Sequence, residues 1–314
     1  MALFVTTFES IALLLVIGLV GFYIINRKVL PESAFSLLSP LSLDIALPCL
    51  VFVNIITNFT PKESPGWWML PLWWVGFTVV SGFLAWIFSF LAKKEIRKEF
   101  IVSLFYQNGI FFPLAILTGI FGSDSTHIVN LFLFVLFYPS LLFSTCHLFW
   151  KNPDRPVRWN RIFNTMLLVT ILAIVLRLLN LHLYIPSFFI NGLKMVGGMT
   201  VPLLMIIIGG NIYIDFKNKG KLLFPEVIFF LILKNIIYPA VALTAIYFIR
   251  PPYYIALIII IQSAVPPVTA IPVIVENEGG KREAVNQFLF SSAIVALLTI
   301  PFVMYLFGFL YPEN

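Results

Sequence analysis

The sequence predicts an all-α integral membrane protein with ten transmembrane helices, arranged as two inverted repeats of five helices. Three observations predict this fold class. Hydrophobic residues make up 60% of the 314 positions and charged residues only 11%, whereas soluble domains carry about 25% charged residues. Ten apolar runs are each long enough to cross a bilayer. A pattern of prolines also recurs at one fixed offset along the chain.

Polar breaks divide the chain into ten apolar runs of roughly 17–25 residues. The connections are short, so we expect no second folded domain outside the membrane. The first run has no basic segment before it and is followed by Arg27 and Lys28, which predicts a span and not a cleaved signal peptide. The predicted spans are 8–25, 34–58, 67–91, 100–121, 127–149, 162–180, 190–213, 223–249, 253–275 and 285–310.

Basic residues are distributed unevenly between the two ends of the spans. Fifteen of the 20 lysines and arginines lie on the side opposite the N-terminus. Cytoplasmic loops carry such an excess, so we expect a multi-pass plasma-membrane protein with both termini outside the cytoplasm. Because these residues are scattered over short loops, the formal charge of +6 does not indicate a nucleic-acid partner. The lipid bilayer is the expected environment.

Two pairs of prolines share one spacing. Pro48 and Pro202, in the second and seventh spans, are 154 residues apart, and so are Pro113 and Pro267, in the fourth and ninth. This offset divides ten spans into two sets of five, and because five is odd the second set enters the membrane from the opposite side. Inverted repeats are typical of secondary transporters. The predicted units are a first repeat at 1–150, a short cytoplasmic linker at 151–161 and a second repeat at 162–314.

The fourth and ninth spans contain residues that weaken a helix at mid-depth. The same offset places "NG" at 108–109 on "QS" at 262–263. A proline in a helix removes one backbone donor and leaves a carbonyl unpaired, and irregular backbone at this depth is tolerated where it lines a cavity. Both spans are therefore predicted to break, near Asn108–Pro113 and Gln262–Pro267, and to cross near the midplane.

This predicted crossover is the candidate substrate site. Half-helix amino termini offer backbone donors and a positive dipole end to an anion, and amide side chains both donate and accept. Asp44 and Lys234 lie about 15 Å deep in their predicted spans, where an unpaired charge costs several kcal/mol. Whether these two bind substrate or form a structural ion pair is left open. The candidate substrate-binding residues are Asn108, Gly109, Pro113, Gln262, Ser263, Pro266, Pro267, Lys234 and Asp44.

Four stretches, taken in order, resemble the auxin efflux carrier family, which covers plant carriers and many bacterial permeases. The resemblance implies ten helices in two inverted repeats, with crossover helices four and nine, and a fold related to sodium/proton antiporters and bile-acid symporters. It also implies transport of organic anions. The stretches are "LPCLVFVNI" (47–55), "YQNGIFFPLAI" (106–116), "VPLLMIIIGGNI" (201–212) and "QSAVPPVTAIPVIVENEGG" (262–280).

The resemblance also assigns residues to the crossover. Asn108, Gly109 and Pro113 correspond to one half of it, and Pro266 and Pro267 to the other. Plant members often carry a long loop between the halves, whereas this chain has a short link there. That difference favours the compact, permease-like branch of the family.

Two other functions are weighed against an anion carrier. A cation antiporter of the same fold would be expected to carry paired acidic residues at the crossover, where this chain has amides. A membrane-embedded enzyme needs a nucleophile or metal cluster, and the chain has no H-E-x-x-H, G-x-S-x-G or G-x-x-x-x-G-K-[ST] motif. We therefore expect a non-enzymatic permease that moves a small organic anion by alternating access, without a cofactor or metal. Coupling to a proton or sodium gradient, and a homodimer, are left open.

Overall fold

The computed structural model describes residues 2–31, 33–62, 65–122, 124–150, 164–217 and 223–312. Within these ranges the chain forms α-helices joined by short turns, and one isolated bridge is the single element of β type. In a lipid solvent a helix pairs its own backbone groups. The α-helices are α1 (Ala2–Asn26), α2 (Ala34–Pro40), α3 (Leu47–Asn58), α4 (Leu70–Ser89), α5 (Arg97–Phe105), α6 (Phe111–Phe121), α7 (Thr126–Phe134), α8 (Tyr138–Thr145), α9 (Thr165–Leu178), α10 (Ser187–Gly198), α11 (Thr200–Lys217), α12 (Phe224–Leu231), α13 (Tyr238–Ile249), α14 (Tyr253–Ala264), α15 (Ile271–Asn277) and α16 (Arg282–Leu310).

Seven helical stretches in the described ranges are long and apolar enough to cross a membrane. Three shorter apolar helices, α6, α9 and α14, accompany them. An all-helical, multi-pass membrane protein is thereby confirmed, while ten crossings in two inverted sets stay a prediction. The predicted linker at 151–161 lies outside the described residues. The seven stretches are Phe4–Asn26, Leu37–Asn58, Trp67–Ser89, Thr126–Phe149, Ser187–Asn211, Phe224–Ile249 and Arg282–Leu310.

Two predicted spans are interrupted helices. In the fourth span α5 ends at Phe105 and α6 begins at Phe111. In the ninth span α14 ends at Ala264 and α15 begins at Ile271. A residue that precedes proline is driven out of the helical region, and Val265, which precedes a proline, is extended with φ −74° and ψ 150°. The paired prolines thus end α14.

Two other spans contain a π-helical turn. Leu41–Ala46 joins α2 to α3, and Ile232–Ile237 joins α12 to α13. Each turn is followed by a proline at the second residue of the next helix, Pro48 or Pro239. The wider turn accommodates the hydrogen bond that the proline cannot make. The predicted charged residues of these spans lie in the two π-helical turns.

Helices α1 and α11 pack along each other with almost no space between their backbones. A Cβ atom added at Gly21 would lie 2.0 Å from the carbonyl oxygen of Ile206, and one added at Gly209 would lie 1.7 Å from that of Gly18. Glycine at such contacts lets membrane helices approach closely and gain van der Waals attraction. The first and seventh predicted spans therefore form one tightly joined pair.

Substituting Gly209 by alanine should separate α1 from α11 and destabilise the protein. Overpacking a close contact costs about 1–3 kcal/mol, so we expect a lower midpoint of thermal unfolding in detergent, followed by tryptophan fluorescence. Gly76→Ala on α4 is the matched control, because its added Cβ has no atom within 4 Å. Equal midpoints for the two variants would contradict the close contact.

Candidate functional site

The two interrupted helices meet through the extended backbone of their breaks. The N–H of Asn108 donates to the carbonyl of Pro266 over 2.7 Å, and the N–H of Val268 donates to the carbonyl of Tyr106 over 2.8 Å. Backbone groups that leave a helix inside a membrane must find another partner. Each break supplies that partner to the other, and these hydrogen bonds fix the point at which the two interrupted spans cross.

The pairing of the two breaks does not follow the 154-residue offset that relates the prolines in the sequence. The proline alignment places residues 154 apart on each other, whereas the structure opposes Gln107 and Pro267, which are 160 apart, in an antiparallel bridge. The difference arises because the aligned prolines have different roles. Pro113 is the third residue of α6, where its missing N–H costs little, so it begins a half-helix. Pro267 lies inside the break itself.

Amide side chains reinforce the crossing. The Nε2 of Gln262 donates to the carbonyl of Gly109 over 2.7 Å, and the Nε2 of Gln107 lies 3.4 Å from the Oε1 of Gln262. The hydroxyl of Tyr138 donates to the carbonyl of Gln107. A Cβ at position 109 would lie 2.9 Å from the Gln262 Oε1, so a larger residue there would displace the end of the Gln262 side chain. The predicted pair of amide-bearing breaks is therefore brought together.

Asn108 presents one unpaired donor at the crossing. Its Oδ1 accepts from the backbone N–H of Phe111 over 3.2 Å and so caps the start of α6. Its side chain is fully buried, and its Nδ2 has no acceptor among the described residues. Burying a polar group without a partner is costly. An acceptor such as a carboxylate oxygen or a water would satisfy this donor.

The two predicted intramembrane charges are not brought together. Lys234 is 1% exposed, and its ammonium lies 5.0 Å from the centroid of the Tyr238 ring. Asp44 is exposed, and the ion pairs among the described residues do not join it to Lys234. The turn of Lys234 packs against α14, whereas the turn of Asp44 packs against α10 and α11. Ser263, also predicted for the site, donates to the carbonyl of Ile260 within its own helix.

A cavity of about 530 Å³, here called the large cavity, lies between α1, α3, α6 and α10. Its lining is mainly apolar, with glycines on α6 and α10. This volume falls within the usual range of ligand pockets. The sequence predicts a site at the crossover, and this cavity was not predicted. The available signal was a carboxylate just inside the first span. The polar lining residues are Thr6, Glu9, Ser10, Asn54 and Thr118.

A second cavity, the small cavity, lies between α11, α15 and α16. Its volume is about 20 Å³, which is enough for a single water. Asn211, Arg282 and Asn286 contribute polar atoms to its wall. Each cavity borders the half-helix that follows a break, α6 in the first case and α15 in the second. Thr269, within the second break, also lines the small cavity.

An apolar helical bundle with two interrupted helices joined to each other is typical of secondary transporters. The chain belongs to the membrane transport protein family, which it matches over residues 6–151 and 151–304. An uncharacterized transporter of Methanocaldococcus jannaschii is 25% identical to it over 207 residues, covering 64% of this chain and 67% of that relative. The family resemblance that the four sequence stretches carry is thereby confirmed.

Replacing Gln262 by leucine should weaken the crossing without removing the apolar packing. The Gly109 carbonyl loses its donor, and an unsatisfied buried group costs about 1–3 kcal/mol, so the thermal unfolding midpoint in detergent should fall. Thr244→Val is the control, because that hydroxyl is exposed on α13 and bonds only to its own helix. A Gln262→Leu midpoint equal to that of the control would show that the amide does not hold the crossing.

Proposed function

We propose that this protein moves a small organic anion, such as a carboxylate, by alternating access past the crossover of α5–α6 with α14–α15. The observation that carries the proposal is that the half-helix after each break, α6 or α15, lines a cavity. A path through the protein needs an access route from each side and a site between them. In this proposal the crossover is that site, with Asn108 and Gln262 as its amide groups.

The chemistry of the crossover supports an anionic substrate. The unpaired Nδ2 of Asn108 is a donor, and the adjacent start of α6 adds the positive end of a helix dipole. The residues of the two breaks, 106–110 and 265–270, include no aspartate or glutamate. Lys234 adds a buried amine, a further hydrogen-bond donor, on the turn that packs against α14. A cation would find no carboxylate in either break.

The unequal cavities support alternating access. One large and one nearly closed cavity are what a single state of such a transporter would show. We assign the first, second, sixth and seventh spans to a scaffold and the remaining spans to the moving body, in two inverted sets of five. The close contact of α1 with α11 lies within that scaffold. By the distribution of basic residues, the small cavity faces the cytoplasm.

A sodium- or proton-coupled symporter or antiporter of the same fold is the second candidate. One observation favours it. Glu9 is a carboxylate on the wall of the large cavity, and an ionisable residue within a membrane span is a default candidate for ion or proton transfer. Asp44, exposed on its π-helical turn, is a second group that could balance charge. Both functions place the organic substrate at the same crossover.

The direct test is electrogenic transport by purified protein in liposomes on a solid-supported membrane. Mono- and dicarboxylates should evoke a current, with and without a proton gradient. Asn108→Ala and Lys234→Ala should each abolish the current in protein that is still expressed and folded, even though Asn108→Ala loses its cap on α6, and Thr244→Ala should retain the current. A current evoked by sodium or a proton gradient alone, with silence for every anion, would favour the second candidate. Full transport by both variants would contradict the assigned site.

Filling the large cavity should block transport if that cavity is the access route. Gly198 lines the cavity on α10, and a Cβ added there has no atom within 4 Å, so Gly198→Leu should fill space without distorting the fold. We expect the anion-evoked current to fall at least tenfold. Gly192→Leu is the matched control, since Gly192 lies on the same helix in open space but outside the cavity lining. Equal currents from both variants would exclude the cavity as the route.

A further inference from the structure

We propose that an anionic phospholipid binds at the carboxyl end of α4, with an acyl chain along a row of aromatic side chains on that helix and its phosphate against Arg97. Lys94 and Lys98 add positive charge beside the phosphate. These residues lie outside the two breaks of the crossover, and none of them lines either cavity. Lipid binding here is independent of the proposed function, since it requires no transported substrate.

Three side chains at the end of α4, here called the aromatic row, form the apolar part of the site. They are Phe83, Trp86 and Phe90, and their spacing of three and four residues places them on one helix face. Successive ring centroids are 6.2 Å and 5.2 Å apart, and each side chain is more than half exposed. In a membrane, such a face contacts acyl chains, and tryptophan is enriched where acyl chains meet headgroups. The aromatic row therefore offers an acyl chain a continuous surface.

Arg97 adds a cation at the end of the aromatic row. Its Cζ lies over the Phe90 ring, 5.4 Å from the centroid. The side chain is half-buried, and its Nε has no acceptor among the described residues. The ion pairs in the described ranges do not involve Arg97. A guanidinium binds a phosphate through two parallel N–H···O bonds, so the unpaired donor indicates where a phosphate oxygen binds.

The carboxylates nearest in sequence and in space are directed elsewhere. Glu99 is buried and accepts from the backbone N–H of Lys281 over 2.8 Å. Glu226 forms an ion pair with Lys93. Glu95 is exposed, and no ion pair joins it to a basic residue in the part of the chain that the structure describes. The charge of the stacked guanidinium is therefore not neutralised by any of these three groups.

The surrounding charge favours an anionic lipid over a zwitterionic one. Lys94 and Lys98 are exposed, and neither forms an ion pair among the described residues. Residues 93–99 carry four basic and two acidic side chains. Basic clusters beside a membrane helix attract anionic headgroups, whereas the choline of a zwitterionic lipid would be repelled. By the distribution of basic residues, this end of α4 faces the cytoplasmic leaflet, which holds anionic lipids.

Trp86 reports occupancy of the site, because bromine atoms on an acyl chain quench a tryptophan that they contact. The purified protein is placed in phosphatidylcholine bilayers that contain increasing fractions of dibrominated phosphatidylglycerol or, separately, of dibrominated phosphatidylcholine. The signal of Trp86 is the fluorescence difference between the unmodified protein and Trp86→Phe, which keeps an aromatic ring in the row. The lipid fraction that quenches half of this signal is the measured quantity.

We expect half-quenching at an about fivefold lower fraction of the phosphatidylglycerol than of the phosphatidylcholine, the effect of one basic residue at an anionic headgroup. Arg97→Gln should remove most of that difference. Arg97→Lys should remove part of it, because it keeps the charge and loses the planar fork. Arg27→Gln is the matched control and should leave the difference unchanged. Arg27 also lies over a ring, that of Tyr23, but it follows α1 and not α4.

Equal half-quenching fractions for the two lipids in the unmodified protein would overturn the inference. Equal shifts in Arg97→Gln and Arg27→Gln would also overturn it, because they would indicate attraction to the whole basic surface and not to one site. Full lipid preference in Arg97→Gln would exclude the guanidinium as the phosphate ligand. These measurements use no substrate, so they can fail while anion transport is observed, and they can succeed while transport is absent.

Discussion

The pairing of backbone groups at the crossover is the constraint on which the rest of the structure depends. Inside a membrane an N–H or C=O that leaves a helix has no water to bind. The break at 106–110 and the break at 265–270 satisfy each other through two backbone hydrogen bonds and the side chain of Gln262. Either break alone would leave these groups unpaired. The two interrupted spans are therefore stable only as a pair.

Close packing elsewhere positions this pair. The glycines of α1 and α11 bring those helices into backbone contact, which gives the bundle a compact side. Gly198 leaves space beside α10 that becomes part of the large cavity, which α1 also lines. Membrane helices gain stability from van der Waals contact rather than from expulsion of water. Glycine thus allows close backbone contact where another helix lies against it, and leaves an empty space where no atom lies against it.

The sequence predicts the helices and the two breaks because both follow from local chemistry. An apolar run of about 20 residues matches the thickness of a bilayer when it is helical. Pro266 and Pro267 cannot continue a helix. The register of the crossing could not be predicted, because Pro113 resembles Pro267 in the sequence but begins a half-helix. The cavities were missed for a different reason. Their walls come from helices far apart in the chain, and nothing local joins Glu9 to Asn54.

The arrangement of half-helices has an electrostatic consequence. Four helix ends meet at the crossover: the carboxyl ends of α5 and α14 and the amino ends of α6 and α15. Two partial negative and two partial positive charges placed around one point form a quadrupole. Its field falls off more steeply with distance than the field of a dipole or a single charge. A solute outside the protein therefore experiences almost no field from the crossover. Only a desolvated solute within contact distance interacts with these helix ends strongly enough for its charge to affect binding.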